Sequence, residues 1–82
     1  MAAKDPILLH LGRYLRSVRE ERGWSQEELA FECGLHRTYI GAVERGEYNV
    51  TLLTLRRITE TLGITLASAI GSIPGRKPRG RR

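Results

Sequence analysis

Trp24-Ser25-Gln26-Glu27-Glu28-Leu29-Ala30-Phe31-Glu32-Cys33-Gly34-Leu35-His36-Arg37-Thr38-Tyr39-Ile40-Gly41-Ala42-Val43 is the stretch whose reading decides the fold. Ser25 and Glu28 have capping-box spacing, in which a hydroxyl bonds an early helical N–H and the carboxylate reaches back to the cap. Trp24 and Leu29 flank the same cap at the spacing of a hydrophobic staple, so a helix is predicted to start at Ser25. It runs only to about Cys33, because Gly34 suits a left-handed cap after a helix. Leu35 then repeats the staple spacing with Ile40, and Ile40 with Val43 gives the buried stripe of another short helix that closes at Gly46. The connection between these two helices is three or four residues long.

Outward from this centre the pattern continues. Upstream, Leu8, Leu11, Leu15 and Val18 recur at three- and four-residue steps with Arg13, Arg16, Arg19, Glu20 and Glu21 between them, which predicts an amphipathic first helix ending at Gly23. Downstream, Glu47-Tyr48-Asn49 reads as a polar loop. Val50 and Thr51 then repeat the staple and cap against Leu55, and Leu55, Ile58 and Leu62 form the core stripe of a fourth helix that ends at Gly63. Thr65 through Ile70 make one or two further turns before Gly71. The expectation is an all-α fold of five helices without a strand. Two short helices joined tightly around a glycine form a helix-turn-helix, a motif that places its second helix in the major groove of DNA.

The chain has 82 residues, which allows one domain with a small core and favours a partner subunit for stability. One cysteine, Cys33, excludes an internal disulfide and reads as a small buried apolar residue in a reducing compartment. The polar start and the lack of a long apolar run make the cytoplasm the expected location. Net charge is +5, yet residues 1–72 hold nine basic and nine acidic side chains, so the whole excess falls after them. The domain is therefore expected to be residues 1–72. Residues 73–82 form a basic tail, rich in proline and glycine, expected to be disordered when free. That tail either lies along phosphates, adding salt-sensitive affinity, or merely solubilises.

Arg19 through Ala30, Gly34-Leu35, Tyr39-Ile40, Glu44-Arg45-Gly46 and Leu55 through Gly63 together resemble the lambda-repressor and Cro-like helix-turn-helix family, also called XRE type. Within that family, His36 through Ile40 followed by Val43-Glu44-Arg45 looks most like the controller proteins of restriction-modification systems, which regulate their own operon. The resemblance implies a sequence-specific, DNA-binding transcriptional regulator.

Candidate DNA-binding residues follow. The resemblance implies that the amide of Gln26, left free because Ser25 takes the cap, donates to a phosphate. His36 begins the third helix where the family usually has an acidic or hydroxyl residue. Arg37 and Thr38 lie in the first turn of the reading helix: Arg37 suits guanine O6 and N7 as a bidentate partner, and Thr38 suits a base edge or a thymine methyl. Tyr39 either packs partly against the second helix or lies on the sugar-phosphate backbone. By the family alignment Ala42 faces the groove, where its small size and that of Gly41 permit close approach or simply helix clearance. Arg45, with Tyr48 and Asn49, follows the reading helix where relatives clamp the backbone. Arg19 and Glu44 are implied as a partly buried ion pair that supports the fold.

Double-stranded DNA and a second copy of the chain are the expected partners, because such units bind two half-sites about 34 Å apart. Leu53, Ile64, Leu66 and Ile70, with Leu52 and Ala67 beside them, are the candidates for a dimer contact, against the alternative of a filled monomer core. Cys33-x-x-His36 and His10 make no plausible zinc site, so no metal and no cofactor are expected. No nucleophile with a base partner and no phosphate-cradling glycine loop point to an enzyme. The rival reading is an antitoxin-like protein-binding module with secondary DNA binding, which a tightly co-purifying partner would reveal. A third is an RNA-binding tail.

Overall fold

The computed structural model describes residues 4–75. Five helices follow in order: α1 (Pro6–Glu21), α2 (Gln26–Cys33), α3 (Arg37–Glu44), α4 (Leu52–Leu62) and α5 (Leu66–Gly71). No strand occurs among the described residues. Residues 76–82, which carry all the basic side chains of the expected tail, lie outside them. None of the described helices is long and apolar enough to cross a membrane.

Each helix begins on a side-chain cap. Ser25 and Glu28 form the full capping box, with Ser25 Oγ accepting from the Glu28 N–H at 3.0 Å and Glu28 Oε1 accepting from the Ser25 N–H at 2.8 Å. Those bonds hold the Glu28 carboxyl below the usual carboxylate range. Thr51 and Thr65 cap α4 and α5 through the N–H groups of Thr54 and Ser68. Asp5 caps α1 ahead of Pro6, whose missing N–H costs nothing at that position. Gly34 ends α2 at φ +72°, a conformation that a side chain disfavours, and turns the chain into α3 within three residues.

A single staple pattern assembles the core. Trp24, Leu35, Val50 and Ile64 each precede a cap and are half-buried. Their counterparts five residues on, Leu29, Ile40, Leu55 and Ala69, are all buried. Leu11, Leu15 and Val18 of α1, with Ile58 and Leu62 of α4, complete the interior. Cys33 is buried with them, and burial pushes its thiol pKa up. Gly12 sits where α1 crosses α3. A Cβ there would collide with the carbonyl oxygens of Val43 and Glu44, so the close approach requires glycine. Tyr14 of α1 is hydrogen-bonded to Ser68 of α5 at 2.6 Å, tying the first helix to the last.

Candidate nucleic-acid interface

α3 turns Ile40, Val43 and Glu44 inward and thereby Arg37 and Thr38 outward, where both are exposed. The turn after Gly34 delivers the N-terminus of α2 beside them. Gln26, Arg37, Thr38 and Arg45 consequently line one polar cleft, with Gly41 as its floor. A Cβ at position 41 would lie 3.0 Å from Nη1 of Arg45 and 3.4 Å from Oε1 of Gln26, so the glycine makes room for those two side chains to lie over the helix. The small residue thus serves a specific close approach on the outer face.

Gln26 is not free. Its Nε2 donates to Oε1 of Glu44 at 2.9 Å, and the residue is half-buried. Sequence spacing left the amide idle because nothing local claims it; the claimant is brought in from α3 by the fold. Glu44 also accepts from Arg19, Nε to Oε2 at 2.7 Å and Nη2 to Oε1 at 3.0 Å, with side-chain exposures of 8% for Arg19 and 3% for Glu44. The third Arg19 bond, Nη1 to the Trp24 carbonyl at 2.6 Å, closes the loop before α2. The hydrogen bonds to Glu44 raise the Arg19 pKa further, and burial opposes them only in part. The implied ion pair is therefore present, and it holds the N-terminus of α2 as well as α1 against α3.

His36 is the cap of α3, and its Nδ1 accepts from the Thr38 N–H at 3.1 Å. The same nitrogen lies 2.7 Å from Thr38 Oγ1. Tyr39 is half-buried against the core and stands edge to face on Tyr48, ring centroids 4.6 Å apart at 65°. Burial raises its phenol pKa, opposed by a bond to Thr54. Tyr39 thus has Thr54 of α4 and Tyr48 of the loop as its neighbours. Arg45 is exposed and paired with Glu47 at 3.1 Å, while Lys4 reaches Glu47 at 3.3 Å and donates to the Arg45 carbonyl at 3.2 Å. These two cations hold the Glu47 carboxyl below its ordinary range. Ala42 is half-buried and Asn49 exposed.

Residues 15–68 match the HTH_3 helix-turn-helix family. The chain belongs to it. Among the relatives of this helix-turn-helix protein, control protein C.BamHI of Bacillus amyloliquefaciens is 48% identical over 59 residues, which cover 71% of this chain and 73% of that one. A hypothetical transcription factor of Neisseria meningitidis is also 48% identical, over 50 residues; the match takes in 61% of this chain but only 47% of the relative. The restriction-modification controller protein C.AhdI from Aeromonas hydrophila superposes with a TM-score of 0.74 at 42% identity, covering 76% of this helix-turn-helix protein and 94% of its own chain. The five-helix, all-α fold and the family read from the sequence are both shown.

Of the four side chains expected at a dimer contact, Leu53 and Ile70 are exposed, at 77% and 46%. Ile64 and Leu66 instead pack against the core, Ile64 because it is the staple residue of α5. Leu52 is exposed beside Leu53. Two exposed apolar groups escaped the sequence reading, Ile7 at 52% and Phe31 at 81%, and Phe31 stands in a groove with Trp24, Glu27, Glu28 and Glu32. The signal for Phe31 was available, since Leu29, Ala30 and Cys33 define the buried face of α2 and Phe31 falls out of phase with it.

Proposed function

We propose that this protein is a sequence-specific transcriptional regulator that lays α3 in the major groove and acts as a homodimer on an inverted-repeat operator. The observation that carries this reading is the cleft in which two elements gather Gln26, Arg37, Thr38 and Arg45 on one exposed face. Arg37 reads a guanine through its forked donors, and Thr38 meets the neighbouring base edge. Arg45 and Asn49 hold the sugar-phosphate backbone, with Arg45 exchanging Glu47 for a phosphate. Gln26 reaches a phosphate only by giving up Glu44, so its part in docking is a swap of acceptors.

Exposed Leu52, Leu53 and Ile70 are the side chains a second copy would cover. The likeness to control protein C.BamHI and to the restriction-modification controller protein C.AhdI supports a setting in restriction-modification control, with regulation of its own operon as part of the same proposal.

Selection of binding sites from random duplex DNA, run in parallel on the intact protein and on Arg37→Ala, tests the reading. The expected result is an inverted repeat with half-site centres about 34 Å apart. Arg37→Ala relaxes it at one guanine, with a loss of about 1–3 kcal/mol of discrimination. If no sequence is enriched and both proteins bind equally, in a salt-dependent way, the reading fails.

A further inference from the structure

We infer that His36 fixes the hydrogen-bonding direction of the Thr38 hydroxyl, so that Thr38 reads a base as an acceptor and selects an exocyclic amino group, that of adenine or cytosine. The inference rests on the DNA-reading role proposed for α3 and extends it to the chemistry of one contact.

One group in the contact has a role that cannot change. The Thr38 backbone N–H only donates, and it points at His36 Nδ1 at 3.1 Å. Nδ1 must therefore present its lone pair, which places the ring proton of the neutral imidazole on Nε2. Thr38 Oγ1 stands 2.7 Å from that same Nδ1. With no proton on the nitrogen, the hydrogen in this contact belongs to the hydroxyl, which shares the single Nδ1 lone pair with the Thr38 N–H in a three-centre bond. A threonine hydroxyl has one hydrogen and two lone pairs. Its hydrogen is committed to the cap, and what it offers outward, from an exposed position lining the cleft with Arg37 and Arg45, is acceptor capacity alone.

In the major groove the donors that such an oxygen can meet are N6–H2 of adenine and N4–H2 of cytosine. Thymine O4 and guanine O6 are themselves acceptors and face it with repulsion.

Protonation reverses the arrangement. An imidazolium Nδ1–H donates to Thr38 Oγ1, releases the hydroxyl hydrogen outward and leaves the Thr38 N–H without its acceptor. The polarity of the contact and the cap of the reading helix then change together. The charged groups that share the groove wall with the ring are Glu27 of α2 and the neighbouring Arg37; its other walls, Ala30, Phe31 and Leu35, are apolar. His36 is on this account a positioning residue, acting on DNA through Thr38.

The test is binding-site selection from random duplex DNA with the full-length protein, Thr38→Val, Thr38→Ser and His36→Asn. Each is run at pH 8 and in an acidic buffer in which the His36 ring signals, followed by NMR, show it protonated. Asn at position 36 caps the helix and accepts from both Thr38 groups but does not titrate. Expected at pH 8 is one base pair per half-site that is preferred about three- to tenfold, the range of one net hydrogen bond, and whose adenine or cytosine amino group, deleted in a base analogue, weakens binding of the intact protein but not of Thr38→Val. Thr38→Val loses that preference and Thr38→Ser keeps it. The intact protein loses it in acid, whereas His36→Asn retains it in both buffers. The inference is overturned if Thr38→Val selects the same base pair, if a base analogue lacking the adenine or cytosine amino group of that pair binds the intact protein as well as the natural site does, or if acid leaves the intact protein's preference unchanged. These outcomes fail it while an operator is still selected. Absence of any selected site overturns the DNA-reading proposal itself, and this inference with it.

Discussion

Glu44 is one carboxylate that receives three donors, two from Arg19 and one from Gln26, at the junction of α1, α2 and α3. Truncating it as Glu44→Ala strands a buried guanidinium with unpaired N–H groups, and breaking a buried pair from one side costs about 3–5 kcal/mol. Urea unfolding should show that loss as a lower midpoint at an unchanged slope; a loss under about 1 kcal/mol would mean that Arg19 finds water instead. The sequence allowed only half of this cluster to be read. Resemblance implied the Arg19–Glu44 pair, but Gln26 and Glu44 are joined only by tertiary packing, and no spacing rule relates them. His36 shows the reverse limit: its place at the start of α3 was legible, while the bond from Thr38 depends on a ring rotamer.

Helix starts and stops were the most legible features, because caps and staples are local. Ser25, Thr51, Gly34 and Gly63 ended or began helices at the positions their chemistry dictates. The start of α1 was missed although Asp5-Pro6 carries it, a cap followed by a proline at the first helical position. The α2 capping box makes acid a probe of this level. Glu28 is held below the usual carboxylate range by its bonds to Ser25, so its stabilising effect is complete above that range and is lost as pH falls through the lowered value. Glu28→Gln keeps an acceptor oxygen for the Ser25 N–H but does not titrate. Between neutrality and a pH of about 3 its melting temperature should therefore fall less steeply than that of the intact protein. Parallel curves would remove the capping box from the acid response.

At the scale of the molecule, what the sequence could not apportion was which surplus aliphatic side chains fill the core and which remain outside. The helical period puts Leu66 and Leu53 on equal footing, whereas packing takes the first partly into the core and leaves the second 77% exposed. Leu53→Asp should consequently leave melting of the monomer almost unchanged while weakening self-association by at least about tenfold, a shift of roughly 1.4 kcal/mol, in sedimentation equilibrium. Equal association of the two proteins would move the dimer contact elsewhere. One interior residue carries a different consequence. Cys33, the last residue of α2, faces α4 with its thiol buried and pushed toward the protonated, unreactive form. A thiol-specific reagent reaches it only when α2 lifts from α4, so the rate at which the unmodified protein is alkylated is a clock of how often the platform of the reading helix comes apart.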